Sequence, residues 1–305
     1  MEIEIDNSAA NAFRTCPTLY LNEFLKEGTG LEPIPFEKET YSPLELGDRG
    51  HQLMEEWYKG ETIYPASANE DMENELAVIM AGYSRKYPTR ESEGIRRVLA
   101  VERSIKVALP AICPLCFAQY EGQALACACG GVLVQHIYTG KMDLVVEMDD
   151  GKLGIIDHKF EKRLAKSNLP QKWAIRDQAT LYVWAASKLY NRAPEDVNFI
   201  VNVLRRPSEK LQVGPEFPDR QKLERTQLQV AKAVRDISII ACEIEKFKRL
   251  FGEDNWPDHK ENCYVFGQCD FYLPCLYGWS TAIRQEKFQP KKPYLNLEGV
   301  PIFQP

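Results

Sequence analysis

Two aspartates and a lysine carry the first sign of chemistry. Asp143 stands in Gly140-Lys141-Met142-Asp143, and Asp157 and Lys159 stand in Ile156-Asp157-His158-Lys159. Asp149-Asp150-Gly151 between them is a hairpin signal. With those three residues as the loop, Asp143 falls directly opposite Asp157, and opposed residues of an antiparallel pair point to the same side of the sheet. Alternation along the strand brings Lys159 to that side as well. A two-residue turn would shift the register and put Asp143 on the other face. Two carboxylates this close repel, and one takes up a proton unless a cation lies between them. Carboxylate oxygens suit Mg²⁺ or Mn²⁺. Such an ion polarises a phosphoryl oxygen and lowers the pKa of a bound water. Lys159 could orient that water or offset charge developing in the transition state. The plainer alternative is an edge hairpin with a solvated salt bridge. Against it, Leu153, Ile155 and Ile156 run straight into Asp157, and a charge at the end of a buried strand calls for a partner.

The cysteines form a second set of candidate ligands. Cys113-Pro-Leu-Cys116 and Cys127-Ala-Cys129-Gly-Gly131 are two close pairs of the kind that hold zinc in ribbons and knuckles, although the second pair is one residue tighter than usual. Phe117 and Tyr120 could stack on bases, but burial around the metal is the simpler use. Cys16, Cys263, Cys269 and Cys275 lie toward the two ends of the chain, and Cys242, within an apolar helical stretch, reads as a core thiol.

The elements that must position these groups follow from periodicity. Residues 8–25 read as a helix capped by Asn7 or Ser8, and 43–59 and 71–87 as further helices. Residues 96–109 read as a strand, followed by the cysteine-rich insert and by strands at 133–148 and 152–159. A helix over 171–191, a strand over 196–205 and a long helix over 219–251 complete the core. This order predicts an α/β fold with a mixed sheet covered on both faces.

Composition limits the rest. The chain has 305 residues and a net charge of −6, which argues against a protein that coats nucleic acid nonspecifically. Basic residues cluster locally: Arg85, Lys86, Arg90, Arg96 and Arg97; Lys162, Arg163, Lys166, Lys172 and Arg176; and Arg205, Arg206 and Lys210. Each group reads equally as a solvated face. No apolar run approaches the roughly 20 residues of a membrane helix, and the first residues lack the pattern of a secretory signal. The expected setting is the reducing cytoplasm, where cysteines serve as ligands or buried thiols rather than disulfides.

Taken together, the Gly-Lys-Met-Asp and Asp-His-Lys segments resemble the PD-(D/E)XK nuclease superfamily, in particular its RecB-like branch, which includes AddB and the CRISPR-associated RecB-like exonucleases. The resemblance implies a restriction-endonuclease-like core forming a single nuclease domain over residues 1–305. Within it lie a zinc-ribbon-like insertion at 111–132 and a cysteine segment at 256–280. It makes His51, in Arg49-Gly50-His51, a metal ligand on an early helix. Gln178 and Tyr182, one turn apart on the helix after the hairpin, match the family's Gln-x-x-x-Tyr motif and would position the strand. Glu102 resembles a recurring acidic position of the branch, and reads equally as a surface glutamate.

The resemblance also implies that His51, Asp143, Asp157 and the carbonyl of His158 hold Mg²⁺ or Mn²⁺, with Lys159 assisting the attacking water. Phe13-Arg-Thr-Cys16-Pro17 is similar to the opening of relatives that carry an iron–sulfur cluster, which implies a [4Fe–4S] cluster on Cys16, Cys263, Cys269 and Cys275. The two equal gaps between the last three cysteines depart from that pattern and leave zinc or plain thiols open. The activity implied is exonucleolytic, on single-stranded or end-containing DNA, with a helicase or a recombination or adaptation protein as partner. The rival is a nuclease-fold DNA-binding scaffold without chemistry.

Overall fold

The computed structural model describes residues 2–34, 41–120, 126–161, 173–206, 220–252, 254–265 and 267–291. In chain order these contain β1 (Glu4–Ile5), α1 (Asn7–Thr15), α2 (Pro17–Tyr20), β2 (Leu31–Pro33), α3 (Pro43–Lys59), α4 (Glu70–Lys86), β3 (Ile95–Ala108), β4 (Ala111–Ile112) and β5 (Gln119–Tyr120). There follow β6 (Ile137–Met148), β7 (Leu153–Glu161), α5 (Asp177–Leu189), β8 (Val197–Arg205), β9 (Gln221–Leu223), α6 (Gln227–Phe251), α7 (Tyr272–Tyr277), α8 (Thr281–Lys287) and β10 (Phe288–Pro290). The chain clusters into two compact units. One comprises Met1–Glu37, Lys106–Thr139 and Val234–Pro305; the other comprises Lys38–Ile105 and Gly140–Ala233.

The second unit holds the mixed sheet. β6 runs antiparallel to β7, β7 parallel to β8, and β8 antiparallel to β9, while β3 pairs with β6. The hairpin has the expected register, with Leu144 opposite Ile156 and Glu147 opposite Leu153. Asp149, Asp150 and Gly151 are the loop: Met148 N–H donates to Lys152 O at 2.9 Å, and Gly151 takes the left-handed conformation at φ 79° that closes a three-residue turn. One face of the sheet presents Leu144, Val146, Ile156, Ile200 and Leu204 to a core that includes Leu46, Met54 and Tyr58 of α3 and Leu76, Ile79 and Tyr83 of α4. α5 packs on β8 and β7 and is buried from Ala179 through Ser187.

α3 forms where its signals are densest. Ser42 accepts from Glu45 N–H at 3.1 Å while Glu45 accepts from Ser42 N–H at 2.6 Å, a capping box completed by Pro43 in the first turn and by Gly60 in the left-handed conformation at the C-terminus. Gly50 is required for its approach to β7, because a Cβ there would lie 2.4 Å from the Phe160 ring.

The first unit holds both cysteine groups. β1 runs parallel to the start of β6, β10 pairs antiparallel with β2, and β4 with β5.

Several boundaries differ from expectation. The first helix is capped by Asp6, whose carboxylate accepts from Ala9 N–H at 2.7 Å, and it breaks at Cys16, where the backbone is extended ahead of Pro17. β6 begins at Ile137 rather than 133. Residues 221–223, read as the start of the long helix, instead form β9 at the sheet edge, and α6 begins at Gln227. Residues 171, 172 and 219 lie outside the described residues.

Candidate active site and metal centres

The β6–β7 ladder stops just short of the acidic groups. The last described pair is Leu144 with Ile156. Beyond it the His158 amide donates to Asp143 Oδ2 at 2.8 Å, so a side chain replaces the strand partner. Asp143 therefore sits beside Asp157, as the three-residue turn requires. Asp157 is almost fully buried, and its Oδ2 lies 2.7 Å from Lys159 Nζ. Burial raises the Asp157 pKa against the pull of Lys159, and nearby Asp143 adds to the rise. Burial works against the Lys159 ammonium, but Asp157 and Asp143 outweigh it, so its pKa is raised and the lysine stays charged.

His51 comes from α3 on the third turn after the cap. Its Nδ1 lies 3.4 Å from Asp143 Oδ2 and 3.7 Å from Glu102 Oε1. His51, Glu102 and Asp143 offer ligand atoms that all lie within 4.8 Å of one another. One imidazole and two carboxylates converging this tightly fit a small divalent cation with oxygen-rich coordination. Burial disfavours the imidazolium, yet Asp143 and Glu102 push the His51 pKa up to about 8. In the metal-free site a proton thus takes the place of a cation.

Glu102 was a doubtful match in the sequence, and the structure places it at the centre. It lies in β3 with φ at 49°, a left-handed conformation that costs a non-glycine residue energy. Its carboxylate also pairs with Lys141. Lys141, inside the Gly-Lys-Met-Asp segment, had no assigned role; burial opposes its charge, but Glu102 raises its pKa.

On α5, Tyr182 is buried and donates to the Lys141 carbonyl at 2.8 Å, and Gln178 one turn earlier interacts with the Tyr182 hydroxyl. Burial, with Asp157 and Asp143 nearby, raises the phenol's pKa, so Tyr182 stays a neutral donor. A Cβ on Gly140 would come within 3.0 Å of the Tyr182 ring, which explains the glycine two residues before Met142.

The basic groups are largely engaged. Arg96 and Arg97 pair with Glu147, Arg206 is bidentate on Glu75, and Arg176 stacks on Trp173. Lys162, Arg163, Lys166, Lys172 and Lys210 lie outside the described residues.

In the first unit, Cys113, Cys116, Cys127 and Cys129 form a tight knot. Sγ–Sγ separations are 3.4 Å for Cys113–Cys129 and for Cys116–Cys127, and 3.5 Å for Cys116–Cys129. Four thiolates around one tetrahedral zinc, with Zn–S bonds of about 2.3 Å, stand about 3.8 Å apart. The knot therefore has the dimensions of a single-ion site. The Tyr120 hydroxyl donates to Cys127 Sγ at 3.1 Å and holds that thiol down to about 6, in the thiolate form that binds metal.

Cys16, Cys263, Cys269 and Cys275 are arranged differently. They do not form a group within 4.8 Å, but all four line one cavity of about 300 Å³, with Leu19 and Phe271 among the other walls. His259 N–H donates to Cys16 Sγ at 3.3 Å. Burial raises the Cys275 thiol to about 12 and the Cys269 thiol in the same direction, and the other cysteines add to it. Four thiols facing one cavity form a candidate ligand set.

A model of the PD-(D/E)XK nuclease superfamily matches residues 7–275, and the chain belongs to that superfamily. No curated protein matches it. Among solved structures, an exonuclease candidate from Eubacterium rectale is 13% identical with a TM-score of 0.47, covering 95% of this chain and 90% of that one. The protein SSO0001 is 14% identical with a TM-score of 0.32, covering 81% of this chain and 90% of that one. Among the described residues, no helix is long and apolar enough to cross a membrane.

Proposed function

We propose that this nuclease-superfamily chain is a divalent-metal-dependent deoxyribonuclease of the RecB-like type that acts as an exonuclease on single-stranded or end-containing DNA. The observation that supports it most is the convergence of His51, Glu102 and Asp143 beside the buried Asp157–Lys159 pair. In this reading His51, Asp143, Asp157 and the His158 carbonyl hold Mg²⁺ or Mn²⁺, and Glu102 joins them. A divalent ion held by these residues would supply polarisation of the scissile phosphate and a lowered pKa for the attacking water. Lys159, kept charged by Asp157, orients that water and offsets charge on the phosphoryl oxygens. Tyr182 holds the Lys141 carbonyl, and so the strand that carries Asp143, while Gln178 and Tyr182 guide the DNA strand. Cys113, Cys116, Cys127 and Cys129 hold a structural zinc. Cys16, Cys263, Cys269 and Cys275 hold a [4Fe–4S] cluster that ties the chain's two ends together.

The test is digestion of three substrates with Mn²⁺ or Mg²⁺: linear single strands labelled at either end, linear duplex, and covalently closed circles. The reading predicts mononucleotides or short oligonucleotides from linear DNA and intact circles. Cutting of circles as fast as of linear DNA contradicts the exonuclease assignment. Intact DNA throughout contradicts the nuclease reading and favours a DNA-binding scaffold.

A further inference from the structure

His158 stands between the two site residues of β7, and alternation turns its ring to the opposite face of the sheet. There it is fully buried, stacked on Tyr58 of α3 at 5.8 Å between centroids and 22° between planes. Its Nδ1 meets Asn202 Nδ2 at 2.9 Å, and Asn202 is its direct partner in the parallel β7–β8 register. Behind Asn202 lies Arg220, whose Nε donates to Asn202 Oδ1 at 3.4 Å. The same guanidinium pairs with the buried Glu93 and donates to Tyr83 Oη at 2.6 Å, while Tyr58 Oη donates to Glu93 Oε2 at 2.6 Å.

These contacts have one consistent proton arrangement. Arginine can only donate, so the Asn202 oxygen must face Arg220 and its NH₂ must face His158. His158 Nδ1 is then the acceptor, and the proton sits on Nε2. A charged, ion-paired arginine thus fixes an amide, and the amide fixes one tautomer and one orientation of the ring between Asp157 and Lys159.

We propose that Asn202 and Arg220 are positioning residues for the metal centre: through the His158 ring they lock the backbone that presents the His158 carbonyl to the ion. The inference rests on the metal-dependent reading above and adds its supporting shell. A ring anchored at Nδ1 and stacked on Tyr58 holds its own peptide, and with it the direction of the carbonyl. Groups that orient ligands in this way commonly change metal affinity 10- to 100-fold when removed.

The experiment is Mn²⁺ titration by calorimetry on full-length protein without DNA, alongside cleavage rate against Mn²⁺ concentration. Asn202→Leu keeps the branched skeleton and removes the link, and Arg220→Lys keeps the charge and removes the Nε donor. Ile79→Val is the control, since it trims the same buried core from α4 and makes no hydrogen bond to Arg220, Asn202 or His158. Asn202→Leu and Arg220→Lys should weaken Mn²⁺ binding about tenfold and raise the half-saturating Mn²⁺ to match, with the rate at saturating metal within about twofold of wild type. Ile79→Val should lower thermal stability and leave Mn²⁺ affinity unchanged. Unaltered affinity in Asn202→Leu, or an equal loss in Ile79→Val, overturns the inference while leaving the nuclease reading in place. Failure of the wild type itself to bind Mn²⁺ overturns the reading and the inference with it.

Discussion

The His158 amide donates to the Asp143 carboxylate at 2.8 Å, at the point where β6 and β7 would otherwise continue their ladder. The strands part, and the space is filled by a side chain rather than by a main-chain carbonyl. Asp143 is tied to β7 through Oδ2, the same oxygen that faces His51 Nδ1 at 3.4 Å, so its position relative to Asp157 is fixed by the backbone.

A first prediction concerns pH. His51 must lose its proton to become a ligand, and in the metal-free site Asp143 and Glu102 push its pKa up to about 8 against burial, with Lys159 opposing them. Asp48, on the same helix turn, also feels the imidazolium. Mn²⁺ affinity should therefore rise with pH and level off above about 8, falling about a hundredfold between pH 9 and pH 6. The sign for stability is the reverse. The raised folded-state pKa means that protonated His51 stabilises the metal-free protein below the ordinary histidine pKa, and that this contribution is lost as pH rises through about 8. Calorimetry across this range checks both, and a flat affinity profile would remove His51 from the ligand set.

Gly50 and Gly140 supply a packing prediction. Alanine at Gly50 drives a methyl into the Phe160 ring, and the strain is borne by the α3–β7 contact that places His51. Overpacking of this kind costs about 1–3 kcal/mol. Gly50→Ala should lower the thermal midpoint and weaken Mn²⁺ binding together, whereas Gly47→Ala on the same helix, with open space around it, should do neither.

The Tyr182 hydroxyl gives a third. Tyr182→Phe removes the donor to the Lys141 carbonyl and leaves a half-buried acceptor without that partner. The expected loss is about 1 kcal/mol of stability, with a fall in cleavage rate from the loosened Asp143 strand. Denaturant titration and rate measurements read the two separately. Full activity in this variant would contradict a positioning role for Tyr182.

Much of this site was legible because β-structure obeys simple arithmetic. The Asp149-Asp150-Gly151 loop implied the register that brings Asp143 beside Asp157, and periodicity marked the helix that carries His51. What was hidden depends on tertiary contact or on backbone distortion. Glu102 meets His51 and Asp143 from a backbone at φ 49°, which no residue pattern announces. Arg220 and Glu93 are 127 positions apart and meet only through the fold. β9 was misread because three residues are too few to display alternation, and their pairing with β8 alone makes them a strand. The two cysteine groups already differ in sequence, two close pairs against four thiols split between the chain's ends, and in space the first is a tight knot while the second lines a cavity.

That separation predicts the metal content. Anaerobically prepared protein should contain about one zinc and about four iron per chain. Cys116→Ser should lose zinc and keep iron, and Cys269→Ser should lose iron and keep zinc. Zinc loss in both variants would contradict the assignment of different metals to the two groups.

The central claim is that Asp157 and Lys159 act with a divalent ion to cut DNA. The direct measurement is cleavage of end-labelled linear DNA by wild type, Asp157→Asn and Lys159→Ala, each with Mn²⁺, with Mg²⁺ and with chelator, on protein shown to be folded by its thermal midpoint. The account predicts cleavage by wild type only when metal is present, and a fall of about a hundredfold or more in each variant. Wild-type rates retained by either folded variant, or cleavage that persists in chelator, would contradict it.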